Sequence, residues 1–313
     1  MKVSVVTPTY YRFNELPEYF TSLEALTCAP YQVILVDGSP PYEKRSEKII
    51  LEFSKKSNLD IEYYRKDGGT AIQRNYGVSM ASGDIILFID DDVRLKPNFI
   101  EILAGYFSND LNKEIGGITG YRTNCYFDMM KNLRWKWYKR LGLLKIFEPG
   151  KYDISTGIPI NNNGQPVFSG LREVDFMTTA CTAYRKEVFD EIKLDPFFVG
   201  YGILEDAQFS LRVKYHLGKK LFQCGDAHCI ELSASSGRTG LKKIGERTVI
   251  NYYYTFNSVF GPLSISQKSR FIRFQLFEWF RVLADLFRFH DKDSLRYFLG
   301  KTSGLYALFI KYL

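Results

Sequence analysis

The sequence predicts an α/β fold: a mixed, mostly parallel sheet flanked by helices, followed by a helical C-terminal extension. Three observations predict it. Short apolar runs alternate with segments of helical period over residues 2–107. Polar residues gather where those apolar runs stop, as ligand-facing residues do at the carboxyl ends of strands in an open α/β sheet. From about residue 240 onward, aromatic and basic residues interleave at helical spacing.

The elements follow in order. Residues 2–7 form a β-rich run closed by Pro8. Residues 14–26 place Leu16, Phe20 and Leu23 at helical spacing, with Asn14 as N-cap and Pro17 in the first turn. Residues 31–36 form a second buried strand, ended by the turn Asp37-Gly38-Ser39-Pro40-Pro41. A polar-faced helix over 42–57 and a strand over 61–64 come next. After Gly68-Gly69, Thr70 caps a helix over 71–80, and 84–89 is the fourth strand. Pro97 opens a helix with Phe99, Ile102, Leu103 and Phe107 inward. Residues 121–172 are rich in Asn, Gly, Pro and aromatics, with no clear period after 148. Residues 174–184 read as a strand. Gly200-Tyr201-Gly202 precedes a helix over 204–216, and 220–224 is a short strand followed by His228 in a polar turn. The chain therefore divides into residues 1–240, with halves 1–120 and 121–240, and an extension 241–313.

Composition narrows the classes. Of 313 residues, 45% are hydrophobic and 25% charged, an ordinary globular balance. Met1-Lys2 leads straight into a strand, too short a run for a signal peptide, and no uncharged apolar run reaches spanning length. Five scattered cysteines suit reduced thiols in the cytoplasm; Cys224, His228 and Cys229 lie close together, but no second cysteine pair completes a zinc site. The net charge is +7, of which residues 268–311 carry +5 and the remaining chain +2, so a nucleic-acid binder is not indicated.

The carboxylates carry the chemistry. Asp90-Asp91-Asp92 ends the run 83–89. Three adjacent carboxylates repel one another, and a divalent cation with oxygen ligands is the simplest counter-charge; the bland reading is an exposed acidic loop. In an extended segment Asp90 and Asp92 face the same way. Pro8 makes a tight exit from the first strand, where backbone groups can meet a base or merely turn. Asp37 can accept from ribose hydroxyls or bond its own backbone. Arg74 suits phosphate oxygens or a carboxylate cluster, and Gly77, costing roughly 1 kcal/mol against Ala in a helix, hints at close packing. Glu205-Asp206 either complements a helix dipole or supplies a general base. His228 is a ligand candidate beside the commoner structural reading.

Together and in this order, these segments resemble the family 2 glycosyltransferases of the GT-A fold. The resemblance rests on Val5-Val6-Thr7-Pro8-Thr9-Tyr10, Val36-Asp37-Gly38-Ser39, Arg74-Asn75-Tyr76-Gly77, residues 83–92, and Leu204-Glu205-Asp206 with Arg212, and covers about residues 2–232. It implies a GT-A type, Rossmann-like sheet and a metal-dependent, inverting transfer of a sugar from a nucleotide donor to an acceptor hydroxyl. By the same resemblance, Thr7, Pro8, Thr9 and Asp37 would hold the base and ribose. Arg74 would serve the diphosphate side. Asp90, Asp91 and Asp92 would form the nucleotide–metal motif, with Asp90, Asp92 and His228 on a Mg2+ or Mn2+ ion. Asp206 would be the base, with Glu205 beside it orienting the acceptor. The donor would be a UDP-, dTDP- or GDP-sugar and the acceptor a glycan or lipid-linked sugar in surface polysaccharide synthesis. Only Asp37 precedes Gly38 where the family often has two acidic or amide residues. The Gln-x-x-Arg-Trp motif of processive members does not appear, although Arg238 follows Ser235-Ser236-Gly237, which favours adding one sugar.

The segment from 268 onward resembles an interfacial amphipathic region at the inner face of a membrane; a core helix pair or a homodimer interface explains it as well. A sugar nucleotidyltransferase would want a Gly-x-Gly-x-x-Arg loop near the N-terminus, which is absent. A non-catalytic membrane-surface or partner-binding module retaining the fold is the rival outside enzymes.

Overall fold

The computed structural model describes residues 1–200, 202–234 and 239–311; Tyr201 and residues 235–238, including Arg238, lie outside them. The chain forms two compact units, residues 1–127 with 165–237, and residues 128–164 with 238–313. Residues 128–164, which the sequence places in the second half of 1–240, thus pack with the C-terminal helices.

The strands are β1 (Val3–Thr9), β2 (Gln32–Asp37), β3 (Ile61–Arg65), β4 (Ile85–Ile89), β5 (Val93–Leu95) and β6 (Ile115–Arg122). A two-stranded hairpin of the second unit follows, β7 (Tyr152–Asp153) and β8 (Ile158–Pro159), and then β9 (Leu171–Val174), β10 (Cys181–Arg185) and β11 (Lys220–Glu231). The helices are α1 (Leu16–Glu24), α2 (Arg45–Ser54), α3 (Thr70–Met80), α4 (Phe99–Asn109), α5 (Leu133–Arg140), α6 (Val188–Glu191), α7 (Glu205–Tyr215), α8 (Leu241–Phe260), α9 (Ile265–Phe289) and α10 (Lys292–Lys311).

In the first unit the sheet runs β3-β2-β1-β4-β10-β6-β11-β5, with β9 also on β11. The pairs among β1 to β4 are parallel, and β10 enters antiparallel to β4 and β6. The expected mixed sheet is therefore present, with its parallel part at the N-terminal side. Successive strand residues feed opposite faces. Val5, Leu35 and Leu87 pack with Leu16, Phe20 and Leu103 on one side, and Val6, Val36 and Phe88 with Ala71 and Phe209 on the other. Both faces are dry, which is why these strands read as continuous apolar runs. A Cβ at Gly77 would overlap Val6 Cγ1, so this glycine lets α3 lie directly on β1 and β2.

Several boundaries differ from expectation for physical reasons. Asn14 does not cap α1; Glu15 holds that position without a side-chain bond. Gly69 is the N-cap of α3, and the Thr70 hydroxyl is engaged elsewhere. The predicted strand 174–184 is two strands, β9 and β10, on different neighbours. The short strand predicted at 220–224 continues to Glu231 through a register shift between Gln223 and His228, so His228 sits inside β11 and not in a turn. β5 and β6 go unpredicted: one is three residues long and the other carries three glycines.

In the second unit α8 and α10 cross in backbone contact. A Cβ at Gly300 would overlap Lys242 O, and one at Gly304 would lie 2.7 Å from Glu246 O. The buried Glu278 of α9 accepts from Arg134 and Tyr138 of α5, each at 2.6 Å. No helix among the described residues is long and apolar enough to cross a membrane.

Candidate active site

The strand ends β1, β2 and β4 and the start of α7 bring most of the candidate residues together. Gln73 of α3 stitches the first two exits: its Nε2 donates to Thr9 O at 2.9 Å and to Val36 O at 2.7 Å. Beyond β2, Asp37 is fully buried and both of its oxygens are used. One accepts from Ser39 N–H at 2.7 Å and the other from Tyr63 Oη at 3.0 Å. That is the backbone-turn reading of Asp37. Thr7 is buried beside Pro8 and meets Tyr19 Oη at 2.5 Å. Thr9 instead donates to Asp91 Oδ2 at 2.7 Å, joining β1 to the aspartate triplet.

The three aspartates have separate environments. Asp91 is buried, and desolvation raises its carboxyl to about 8 despite the nearby Arg12 and the Thr9 hydroxyl. Asp92 is also pushed up, by burial first and then by Asp90 and, more weakly, Glu231; its Oδ2 accepts from Ala234 N–H at 3.0 Å. Asp90 is the most exposed of the three and pairs through Oδ1 with Arg74 Nη2 at 2.7 Å.

Arg12, which no spacing rule flags, is the missing counter-charge. It follows Tyr11, whose φ is +56°, and lies 3.7 Å from Asp91 and 3.8 Å from Asp92. Its Nη1 is buried without a hydrogen-bond partner. A loop residue that reaches back to the end of the fourth strand has no periodic signature. Its only sequence signal is a lone cation directly after a strand exit.

Arg74 ties this cluster to the second carboxylate pair. Its Nη1 reaches Glu205 Oε1 at 2.7 Å, while Nη2 holds Asp90. Glu205 is 1% exposed, and its other oxygen accepts from the Thr70 hydroxyl. Burial raises its carboxyl to about 6. With both oxygens taken, Glu205 is placed to support Arg74 rather than to face an acceptor. Asp206 is partly exposed at the first turn of α7; its Oδ1 accepts from Ala207 N–H at 2.8 Å, and burial pushes its carboxyl upward. The residue before the pair, Leu204, has φ +68°, a conformation that costs a non-glycine residue energy and that collects at functional sites. Gly69, at φ +100°, lets the backbone before α3 bridge to Gly200 ahead of α7; a Cβ there would overlap Gly200 N.

His228 does not join this group. Its Nε2 meets Gly225 O at 2.7 Å, and its ring lies 6.0 Å from that of Tyr121. Among the described residues no three His, Cys, Asp or Glu side chains converge as a metal site, so Asp90, Asp92 and His228 are not assembled as a trio. Asp90 and Asp92 alone still suit a hard divalent ion. Each keeps one oxygen without a hydrogen bond among the described residues, and Mg2+ commonly takes one or two carboxylates plus waters and substrate phosphates.

The profile described as Glycosyl transferase family 2 matches residues 4–193. A dolichol-phosphate mannosyltransferase of Pyrococcus furiosus is 27% identical over 205 residues, 65% of this chain and 51% of that protein. A glucosyl-dolichyl phosphate glucuronosyltransferase of Haloferax volcanii is 31% identical over 113 residues, 35% of each. The chain thus spans about half, or less, of the length of these curated relatives. Among solved structures, the mannosyltransferase PcManGT of Pyrobaculum calidifontis, in complex with GDP-Man and Mn2+, superposes with TM-score 0.56 at 11% identity, covering 100% of this chain and 76% of that one. At that identity the likeness is one of fold.

Proposed function

The chain belongs to glycosyl transferase family 2, and on that premise we propose that it moves a sugar from a nucleotide-sugar donor to an acceptor hydroxyl by single displacement with inversion. The observation that carries this reading is the Arg74 bridge. One guanidinium spans Asp90 at the exit of β4 and Glu205 at the start of α7, each at 2.7 Å. It ties the end of β4 to the first turn of α7, where Asp206 follows Glu205.

In this proposal Asp206 is the general base. It is the carboxylate of α7 with solvent access, and its upward-shifted carboxyl brings its affinity for a proton closer to that of a hydroxyl under attack. Asp90 and Asp92 would hold Mg2+ or Mn2+, which when bound offsets the charge that develops on the leaving diphosphate. Arg74 fixes the direction of Asp90. Thr9 keeps Asp91 in place, and Gln73 ties the exits of β1 and β2 together. The sugar donors in contention are UDP-, dTDP- and GDP-linked. The acceptor is a lipid-linked sugar or glycan, a reading supported by the Haloferax volcanii relative, which is named for a glucosyl-dolichyl phosphate, and the setting is surface polysaccharide synthesis at the inner face of a membrane.

Thermal-shift titration with UDP, GDP and dTDP, each with Mg2+ or Mn2+, identifies the nucleotide. Asp206→Asn then separates binding from chemistry: the shift stays and transfer falls by about 10²–10⁴-fold. Full turnover in that variant removes Asp206 as base, and no shift with any nucleotide removes the donor site.

A further inference from the structure

We propose that α5, with the turn before it and the loop after it, is a docking element for an anionic lipid surface. The proposal stands on the second unit alone and needs neither the donor nor the acceptor assignment. Residues 131–145 contain six Lys or Arg (Lys131, Arg134, Lys136, Lys139, Arg140, Lys145) and no Asp or Glu, a local charge of +6 within fifteen consecutive residues.

The segment is built to present two faces. Asp128 caps the turn Met129–Lys131 and Asn132 caps α5, each accepting from backbone N–H groups. Trp135 and Tyr138 are buried, Tyr138 against Phe274 and Phe277 of α9. Leu133, Trp137 and Leu141 follow one another at steps of four, on one face of the helix, and that side is bare: Leu133 is 67% exposed and Trp137 40%. Arg134 is spent on Glu278. Lys136, Lys139 and Arg140 make no ion pair among the described residues, and Arg140 lies over the Trp137 ring at 5.3 Å. On α9, Arg281 pairs with Glu278 and Asp285, and on α10, Arg296 pairs with Asp293.

An apolar stripe with Trp, flanked by unpaired cations, matches the interface of a bilayer, where apolar side chains enter the headgroup boundary and Lys or Arg meet phosphates. A second copy of this chain fits poorly, because a two-fold interface sets each patch against itself and places its cations face to face. A nucleic acid would use the cations but leave Leu133, Trp137 and Leu141 in water.

The test is co-sedimentation of the full chain with vesicles of phosphatidylcholine alone and of phosphatidylcholine mixed with phosphatidylglycerol. The expected result is binding to the mixed vesicles only, weakened by salt, with a blue shift of tryptophan emission that Trp137→Phe removes. Reversing Lys136, Lys139 and Arg140 to Glu lowers the partition at least tenfold, since each cation near an anionic surface contributes about fivefold. Leu133→Ser with Trp137→Ser lowers it about tenfold without moving the melting temperature, as both side chains are exposed. Equal binding to both vesicle types, or partition unchanged in both variants, overturns the proposal. So does self-association, or retention of RNA, that these variants abolish while the parent ignores vesicles.

Discussion

At the scale of single residues, the site is a balance of buried charge, and Asp91 shows its sign. Its carboxyl is raised from an ordinary aspartate to about 8, chiefly by burial. The folded chain therefore keeps a proton that the unfolded chain releases above about pH 4. The stability that this proton contributes is complete below the unfolded value and is lost as pH rises through about 8. Asp91→Asn removes the titration while keeping an acceptor for Thr9. The parent's melting temperature should fall between about pH 5 and about pH 9 by more than that of the variant, the difference reaching a few kcal/mol of stability. Parallel pH curves would show that Asp91 is ionised throughout. Arg74 gives the complementary case. Arg74→Met leaves Glu205 buried beside only the Thr70 hydroxyl, and breaking such a pair costs about 3–5 kcal/mol. Adding Glu205→Leu should restore most of the loss in urea melts but not the transfer rate, because Asp90 has still lost its partner. Recovery of rate along with stability would make Arg74 purely structural.

At the scale of elements, glycine geometry decides where α3 and its arginine lie. Gly77→Ala raises helix propensity by roughly 1 kcal/mol, yet the new methyl overlaps Val6 Cγ1. The expected net effect is destabilisation by about 1–3 kcal/mol and weaker donor binding, since α3 carries both Gln73 and Arg74. Val6→Ala in the same chain should return part of both. If Gly77→Ala melts higher than the parent, the contact is not tight. The same element scale explains what was legible in the residues alone. β1, β2 and β4 read as apolar runs because both of their faces are dry, and Asp90 and Asp92 stand out as charges at the end of such a run, with Asp206 at a helix start. β6 is hidden because Gly116, Gly117 and Gly120 are used for close packing, against Lys219, Tyr184 and Phe99, which propensity cannot see. β11 reads short because Gly225 and Asp226 look like a turn where the chain only shifts register. The sequence puts His228 in a turn for the same reason. The contacts of Arg12, Gln73 and Thr9 are invisible for another: each joins segments tens of residues apart, which no local period encodes.

At the scale of the whole chain, the second unit is assembled from two distant stretches, and that connectivity has a consequence for dissection. A boundary near residue 240 looks natural in the sequence, where the helical, aromatic region begins. Cutting there removes α8 to α10 but leaves residues 128–164, whose Tyr138 packs against Phe274 and Phe277 and whose Arg134 pairs with Glu278. The truncated chain would strip Tyr138 of Phe274 and Phe277, baring an apolar surface of the kind that drives aggregation. The prediction is that residues 1–240 are recovered insoluble or as large aggregates by gel filtration. Residue 165 lies beside the end of β6, since Tyr121 Oη donates to Gln165 O at 2.9 Å. Joining residue 127 to residue 165 through a short Gly-Ser linker and ending at 237 removes both stretches together. That chain retains the whole nine-stranded sheet, with every residue of the Arg12, Arg74 and Asp206 cluster. It should be soluble, unfold cooperatively, and give the same thermal shift with the matching nucleotide as the full chain, while losing its affinity for anionic vesicles. If the simple truncation is as soluble as the double excision, residues 128–164 do not depend on the C-terminal helices, and the two-stretch assembly of the second unit is wrong.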